Sequence, residues 1–217
     1  MMTSKNNHPK KSVAHQIRII GGQWKRSPLT VIDAEGLRPT PDRVRETLFN
    51  WLNHLYNGQW QHLRCLDLFA GSGALGLEAA SRGAGQVTLV ESQAMPFQQI
   101  QATITKLAAQ NVTVLRSDAL QFLAKTLAKI TTDTVPETEK WDVIFLDPPF
   151  GQDLLVKVLP ICQRLLKSTG VLYVEAEYAF NLDKSLAWRP ELPWAAHWHI
   201  VRADRAGAVF FHLLRPL

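Results

Sequence analysis

The chain has 217 residues, 46% of them hydrophobic, which allows one sizeable core plus an appendage and excludes two full domains. No apolar run reaches the ~18 residues that span a bilayer, and residues 1–16 contain no stretch of signal-peptide character. Cys65 and Cys162 sit in apolar segments without metal-ligand spacing, so the expectation is a reduced, cytosolic protein with no membrane and no metal. The net charge of +5 is uneven: residues 1–45 hold nine Lys/Arg against three acids, or +6, which leaves the other 172 residues at −1. A basic segment on a nearly neutral body points to a polyanionic partner.

Residues 1–15 read as a disordered basic tail. From Gln16, two extended runs around Gly21-Gly22 predict a β-hairpin. A helix should follow, with Thr40 as N-cap, Pro41 at the first helical position and Asp42 complementing the dipole. Val44, Leu48, Leu52 and Leu55 form its apolar stripe, and Arg43 and Arg45 fall off it. Residues 16–57 are therefore expected to be an N-terminal extension, and 58–217 the main domain.

From Leu63 the chain alternates strand and helix. Strands are expected at Arg64–Phe69, Gln86–Glu91, Val112–Arg116, Val143–Leu146 and Val171–Glu175. The intervening helices are expected at Leu75–Ser81, Ala94–Ala109, Ala119–Ile130 and Leu154–Leu166. This pattern implies an α/β fold, a mostly parallel sheet covered by helices on both faces. Thr131–Lys140 is polar and proline-broken, a surface loop. Trp198–Arg202 and Ala208–Leu214 predict a closing antiparallel hairpin joined by Ala203–Gly207. Trp188, Trp194 and Trp198, near Pro190 and Pro193, read as packing.

The first strand of this alternation runs into Asp67-Leu-Phe-Ala-Gly-Ser-Gly-Ala-Leu-Gly. Gly71, Gly73 and Gly76 have G-x-G-x-x-G spacing between a strand and a helix, the arrangement of a nucleotide loop. By itself this would suit a nicotinamide or flavin nucleotide equally. The acids narrow it. Asp67, Glu91, Asp118 and Asp147 each lie at the carboxyl end of a strand, the edge where open α/β sheets bind ligands. Glu91 is placed to accept ribose hydroxyls, whereas Asp118 also fits a helix cap. A row of carboxylates disfavours pyrophosphate and suits a ligand with a diol, an amine and a positive sulfur. S-adenosylmethionine has all three.

The fourth acid opens Asp147-Pro148-Pro149-Phe150. Two prolines lack N–H groups and fix φ, so the turn is stiff and presents acceptors. The Asp147 carboxyl and the Pro148 carbonyl can take the two N–H bonds of a nucleobase amine, and Phe150 offers a face for the base. Methyl transfer to that amine would rest on positioning and electrostatics.

Taken in order, Arg18-Ile-Ile-Gly-Gly, Gly36-Leu-Arg-Pro-Thr-Pro-Asp-Arg-Val-Arg-Glu-Thr-Leu-Phe-Asn-Trp-Leu, Leu66–Ala79 and Asp147-Pro-Pro-Phe closely resemble the bacterial 16S ribosomal RNA guanine-N2 methyltransferase family. The resemblance runs from about residue 16 to the end. It implies a Rossmann-like class I methyltransferase fold, a seven-stranded sheet with one antiparallel strand. It also implies S-adenosylmethionine as donor and a guanine of 16S rRNA as target, within an assembled or partly assembled small subunit. On that basis Asp67, Phe69, Gly71 and Gly73 should line the methionine side, Glu91 the ribose, and Asp118 with Ala119 the adenine. Asp147 to Phe150 should face the target amine, with Arg38 and Thr40 closing over the cofactor. Phe150 stands where related amino-methyltransferases often have Tyr.

The basic segment then gains a role: Arg18, Lys25 and Arg26 on the hairpin, with Arg43 and Arg45 on the helix, are candidates for holding RNA phosphates. Two alternatives stay open on the residues alone. One is an amino-methyltransferase acting on adenine or cytosine. The other is a nucleotide-binding protein without methyltransferase activity. A single cofactor site without sustained heptads is compatible with a monomer.

Overall fold

The computed structural model describes residues 16–31, 40–129, 135–149, 154–180 and 197–217. The tail 1–15, Arg38, Phe150, Trp188 and Trp194 lie outside the described residues. The strands are β1 (Gln16–Arg18), β2 (Pro28–Thr30), β3 (Arg64–Asp67), β4 (Gln86–Glu91), β5 (Val112–Arg116), β6 (Trp141–Leu146), β7 (Leu166–Ala176), β8 (Trp198–Ala206) and β9 (Val209–Pro216). The helices are α1 (Asp42–Leu55), α2 (Ala74–Ser81), α3 (Ala94–Lys106), α4 (Ala119–Ala128) and α5 (Leu154–Leu165).

The strand–helix alternation produces a seven-stranded sheet in the order β5-β4-β3-β6-β7-β9-β8. β3 to β7 are parallel, and β9 runs antiparallel between β7 and β8. Every residue of β6 is buried, as expected of a central parallel strand covered on both faces. Successive side chains divide between two cores. Cys65, Val143, Phe145 and Tyr173 pack with α1, α2 and the hairpin, while Leu66, Ile144, Leu146 and Leu172 pack with α4 and α5. Each fully buried Leu or Phe contributes about 1.5–3 kcal/mol.

The C-terminal hairpin turns later than the sequence suggests. Ala203–Ala206 belong to β8, and the reversal falls at Gly207, whose φ is +62°. The N-terminal hairpin is also built differently. β1 pairs with β2 only over Gln16–Arg18 and Pro28–Thr30, and Gly21-Gly22 opens a longer connection in which Lys25 N–H donates to Gly22 O at 3.3 Å. That pair docks on the end of α2. Ile20 and Gly21 donate their N–H groups to the buried Glu78 carboxylate at 2.6 and 2.9 Å, and Gln23 N–H reaches Ser81 O at 2.8 Å. A Cβ on Gly22, which has φ +75°, would stand 1.9 Å from Ser81 O, so only glycine permits this approach.

α1 corrects two further expectations. Its N-cap position is Pro41, and Thr40 makes no capping bond because its hydroxyl is engaged elsewhere. Arg45 is fully buried, not an outward-facing phosphate ligand. Its guanidinium donates to Arg18 O at 2.9 Å and to Asp42 Oδ1 at 2.7 Å, tying the first strand to the helix. Phe49, one turn further on, is buried on the same side, so the packed stripe is wider than Val44, Leu48 and Leu52 alone.

Candidate active site

The strand order reverses between β3 and β6, the switch point at which open sheets leave a crevice beyond their carboxyl ends. Asp67 closes β3 there, and Asp147 directly follows β6. Between them the chain turns through Gly71 and Gly73, at φ +52° and +77°, with Gly73 as the N-cap of α2. These left-handed conformations explain the residue choice.

The backbone of this loop is held by two of the predicted acids. Gly76 N–H donates to Asp67 Oδ2 at 2.9 Å. Gly71 N–H donates to Glu91 Oε2 at 2.8 Å, and Gln93 N–H to Glu91 Oε1 at 2.7 Å. Glu91 thus shapes the loop from the end of β4, with both oxygens already accepting amides. Asp118 is exposed and caps α4, its Oδ1 accepting from Gln121 N–H at 3.0 Å. Ala119 is buried at the start of that helix.

The Asp147 turn is backed by Thr40 and by two residues the sequence did not single out, Tyr173 and Glu175. The Thr40 hydroxyl lies 3.2 Å from Asp147 Oδ2 and 2.8 Å from Glu175 Oε1. Tyr173 OH donates to the same Glu175 oxygen at 2.8 Å. Thr40, Tyr173 and Glu175 are all buried, while Asp147 is half-buried at the cleft. Burial, and then the Glu175 charge, hold the Asp147 carboxyl well above the usual carboxylate range. Burial likewise raises Glu175 against the donors from Thr40 and Tyr173, and raises Tyr173. Burial pushes Asp67 up to about 7, opposed by the Gly76 N–H.

Thr40, Asp67, Phe69, Gly71 and Asp147 border one open cleft of about 640 Å³ including its mouth. Its other walls are Thr30 and Val31 of the hairpin, Ala70 and Ser72 of the loop, Ala74 and Leu75 of α2, and Pro96 and Gln99 of α3. The hairpin and α3 contributions were not evident from the sequence. Glu175 left a signal, because it is an acid at the carboxyl end of its strand, as four earlier strands have an acid in or next to theirs. Pro148 is buried and Pro149 exposed, and Phe150 lies outside the described residues. Arg18, Lys25, Arg26 and Arg43 are exposed, with Arg18 3.4 Å from Asp42; Arg45 is not part of that surface.

Among the described residues no Lys or Arg pairs with Asp67, Asp147 or Glu175. Three buried or half-buried acids without a cation, beside a glycine loop and an open cleft, fit a cationic nucleoside such as S-adenosylmethionine. No described group of three or more His, Cys, Asp or Glu could hold a metal ion, and no described helix is long and apolar enough to cross a membrane.

The strand order, glycine loop and edge acids define a class I methyltransferase that uses S-adenosylmethionine. A family model described as "Conserved hypothetical protein 95" matches residues 17–215. Ribosomal RNA small subunit methyltransferase D of Escherichia coli K12 is 40% identical over 207 residues, covering 94% of this chain and 92% of that protein. The Haemophilus influenzae protein of the same name is 36% identical over 91% of this chain and 93% of its own. A solved structure from E. coli, provisionally named the methyltransferase yhhF, superposes with a TM-score of 0.71 at 37% identity, covering 93% of this chain and 98% of the other. The chain belongs to the ribosomal RNA small subunit methyltransferase D family.

Proposed function

We propose that the chain transfers a methyl group from S-adenosylmethionine to the exocyclic N2 amine of one guanine in 16S rRNA, within an assembled or partly assembled small subunit. It does so as a cytoplasmic monomer. The observation that carries this reading is the position of Asp147, adjacent across β3 and β6 to Asp67 and sharing its cleft. The cofactor's acid and the amine's acid are therefore neighbours.

In this reading Asp67, Phe69, Gly71 and Gly73 hold the methionine end, Glu91 the ribose and Asp118 with Ala119 the adenine. When bound, S-adenosylmethionine supplies an electrophilic methyl group and a positive charge that the acidic edge stabilises. Asp147 offers a carboxyl oxygen to one amine N–H and the Pro148 carbonyl accepts the other, while Pro149 keeps the turn stiff. Two such bonds localise the nitrogen lone pair, which is otherwise drawn into the ring, and aim it at the methyl group. Phe150 supplies the stacking face, and Arg38 covers the cofactor. Residues 16–57 serve as the RNA and cofactor-lid extension of the methyltransferase domain, with the exposed Arg18, Lys25, Arg26 and Arg43 meeting phosphates.

The test is methyl transfer from labelled S-adenosylmethionine to small subunits from cells lacking this protein, with the modified nucleoside identified by mass. Wild type should produce N2-methylguanosine at one position. Cofactor binding without labelled RNA, or label on adenine or cytosine, contradicts the substrate assignment.

A further inference from the structure

The link from Asp147 through the Thr40 hydroxyl to Glu175 has a proton count that two carboxylates alone do not satisfy. Asp147 Oδ2, Thr40 Oγ1 and Glu175 Oε1 lie in a row, at 3.2 and 2.8 Å. A threonine hydroxyl provides one hydrogen, which the shorter contact, to Glu175 Oε1, takes. A hydrogen bond across the longer contact then needs a proton on the Asp147 carboxyl. Glu175 Oε1 already receives Tyr173 OH at 2.8 Å, so two donors converge on a single oxygen of that residue. Such convergence marks Glu175 as the anion and leaves the shared proton on Asp147 Oδ2, which donates to Thr40.

We propose that Asp147, Thr40 and Glu175 form a proton relay in which Glu175, acting through the other two, finally accepts the proton released by the methylated amine. This rests on the methyl-transfer reading above and goes beyond it, since there Asp147 only receives a hydrogen bond. As the nitrogen–carbon bond forms, the sulfur–carbon bond breaks and its electron pair stays on sulfur, leaving a neutral thioether and a positively charged amine. That amine loses a proton to Asp147 Oδ1. Asp147 Oδ2 passes its own proton to Thr40 Oγ1, and the Thr40 proton moves to Glu175 Oε1. Asp147 ends as it began, a neutral carboxyl, and Glu175 ends protonated. Glu175 touches no substrate and is a positioning residue in this sense.

The titratable groups facing the relay are Asp67 from β3, Asp147 after β6, and Tyr173 and Glu175 from β7; Thr40 approaches from ahead of α1. No described Lys or Arg is paired with any of them. The rate of methyl transfer should accordingly fall as pH drops and Glu175 becomes protonated. Tyr173 stabilises the Glu175 anion, so Tyr173→Phe should move that acid limb to higher pH while preserving the packed ring.

The experiment measures single-turnover methyl transfer against pH for wild type, Glu175→Gln, Thr40→Val, Thr40→Ser and Tyr173→Phe. Calorimetry with S-adenosylmethionine and thermal melting check binding and fold in each. The relay predicts a loss of about 10²-fold in Glu175→Gln and Thr40→Val, recovery to within a few-fold in Thr40→Ser, and no acid limb in Glu175→Gln. In cofactor-free protein, ¹³C side-chain carboxyl resonances of Asp147 and Glu175 should titrate as a coupled pair, and independently in Thr40→Val. A folded Glu175→Gln protein with the wild-type rate and acid limb overturns the relay and leaves the methyl-transfer reading intact. Wild type that binds the cofactor yet methylates no guanine overturns both.

Discussion

β6 carries an acid at each end, and the two are treated in opposite ways. At its start, both Asp142 carboxylate oxygens accept from Lys167 Nζ at 2.9 Å, and Oδ2 also accepts the Arg64 N–H at 2.8 Å. Just past its end, Asp147 has the Thr40 hydroxyl at 3.2 Å and another acid, Glu175, behind it. Glu78 repeats the first pattern, buried against Arg82 Nε at 2.8 Å and two backbone amides. Acids that hold this fold together are supplied with cations by the chain itself. Among the described residues those at the carboxyl edge have no paired cation, which is costly until a ligand brings a positive charge. Burial together with missing cations therefore separates a site from a structural brace better than burial alone.

Removing acids one at a time should break this comparison if it is wrong. The largest effect on stability is expected for Glu78→Ala, which leaves Arg82 and two amides behind. A loss of about 3–5 kcal/mol in denaturant unfolding is predicted, with cofactor affinity per folded molecule little changed. Asp147→Ala should do the reverse, slowing methyl transfer by about 10²-fold or more with unfolding free energy unchanged or improved. An Asp147→Ala protein as destabilised as Glu78→Ala would erase the distinction.

Gly22→Ala sharpens the role of the docked hairpin, because the added Cβ meets Ser81 O at 1.9 Å. A destabilisation of about 1–3 kcal/mol should appear in the same unfolding assay, and wild-type stability would show that the hairpin does not sit there. The smallest effect is on RNA affinity. Neutralising Lys25 and Arg43, both exposed, should weaken binding and reduce the salt slope by about 0.7–0.9 per charge. Neutralising the buried Arg45 should instead lower stability.

The sheet was legible because short apolar runs and amphipathic segments alternate, and β4 and β5 match their expected bounds residue for residue. The glycine loop and Asp67 were legible from spacing. Thr40 was misread as an N-cap because Thr-Pro-Asp before an apolar stripe is also a good helix start. Only the proximity of β6 and β7, a tertiary fact, shows that its hydroxyl is bonded to two acids. Arg45 was misread because a helical stripe gives one buried face, whereas α1 has the hairpin against a second. Gly21-Gly22 carries a turn signature yet serves a close approach to α2, whose buried Glu78 and Ser81 had no distinguishing signal in sequence.

The central claim is that the edge acids wait for a cationic ligand, and calorimetry tests it most directly. S-adenosylmethionine would be titrated into the protein near pH 7, in buffers of different ionisation enthalpy, and the affinity followed with pH. Asp67 is raised to about 7 by burial. A ligand cation favours its charged form, and a group half protonated near pH 7 should release up to about half a proton on binding. Affinity should rise as pH climbs toward 7 and level off above it, and Asp67→Asn should abolish the effect. Binding without proton release and with pH-independent affinity would contradict the account.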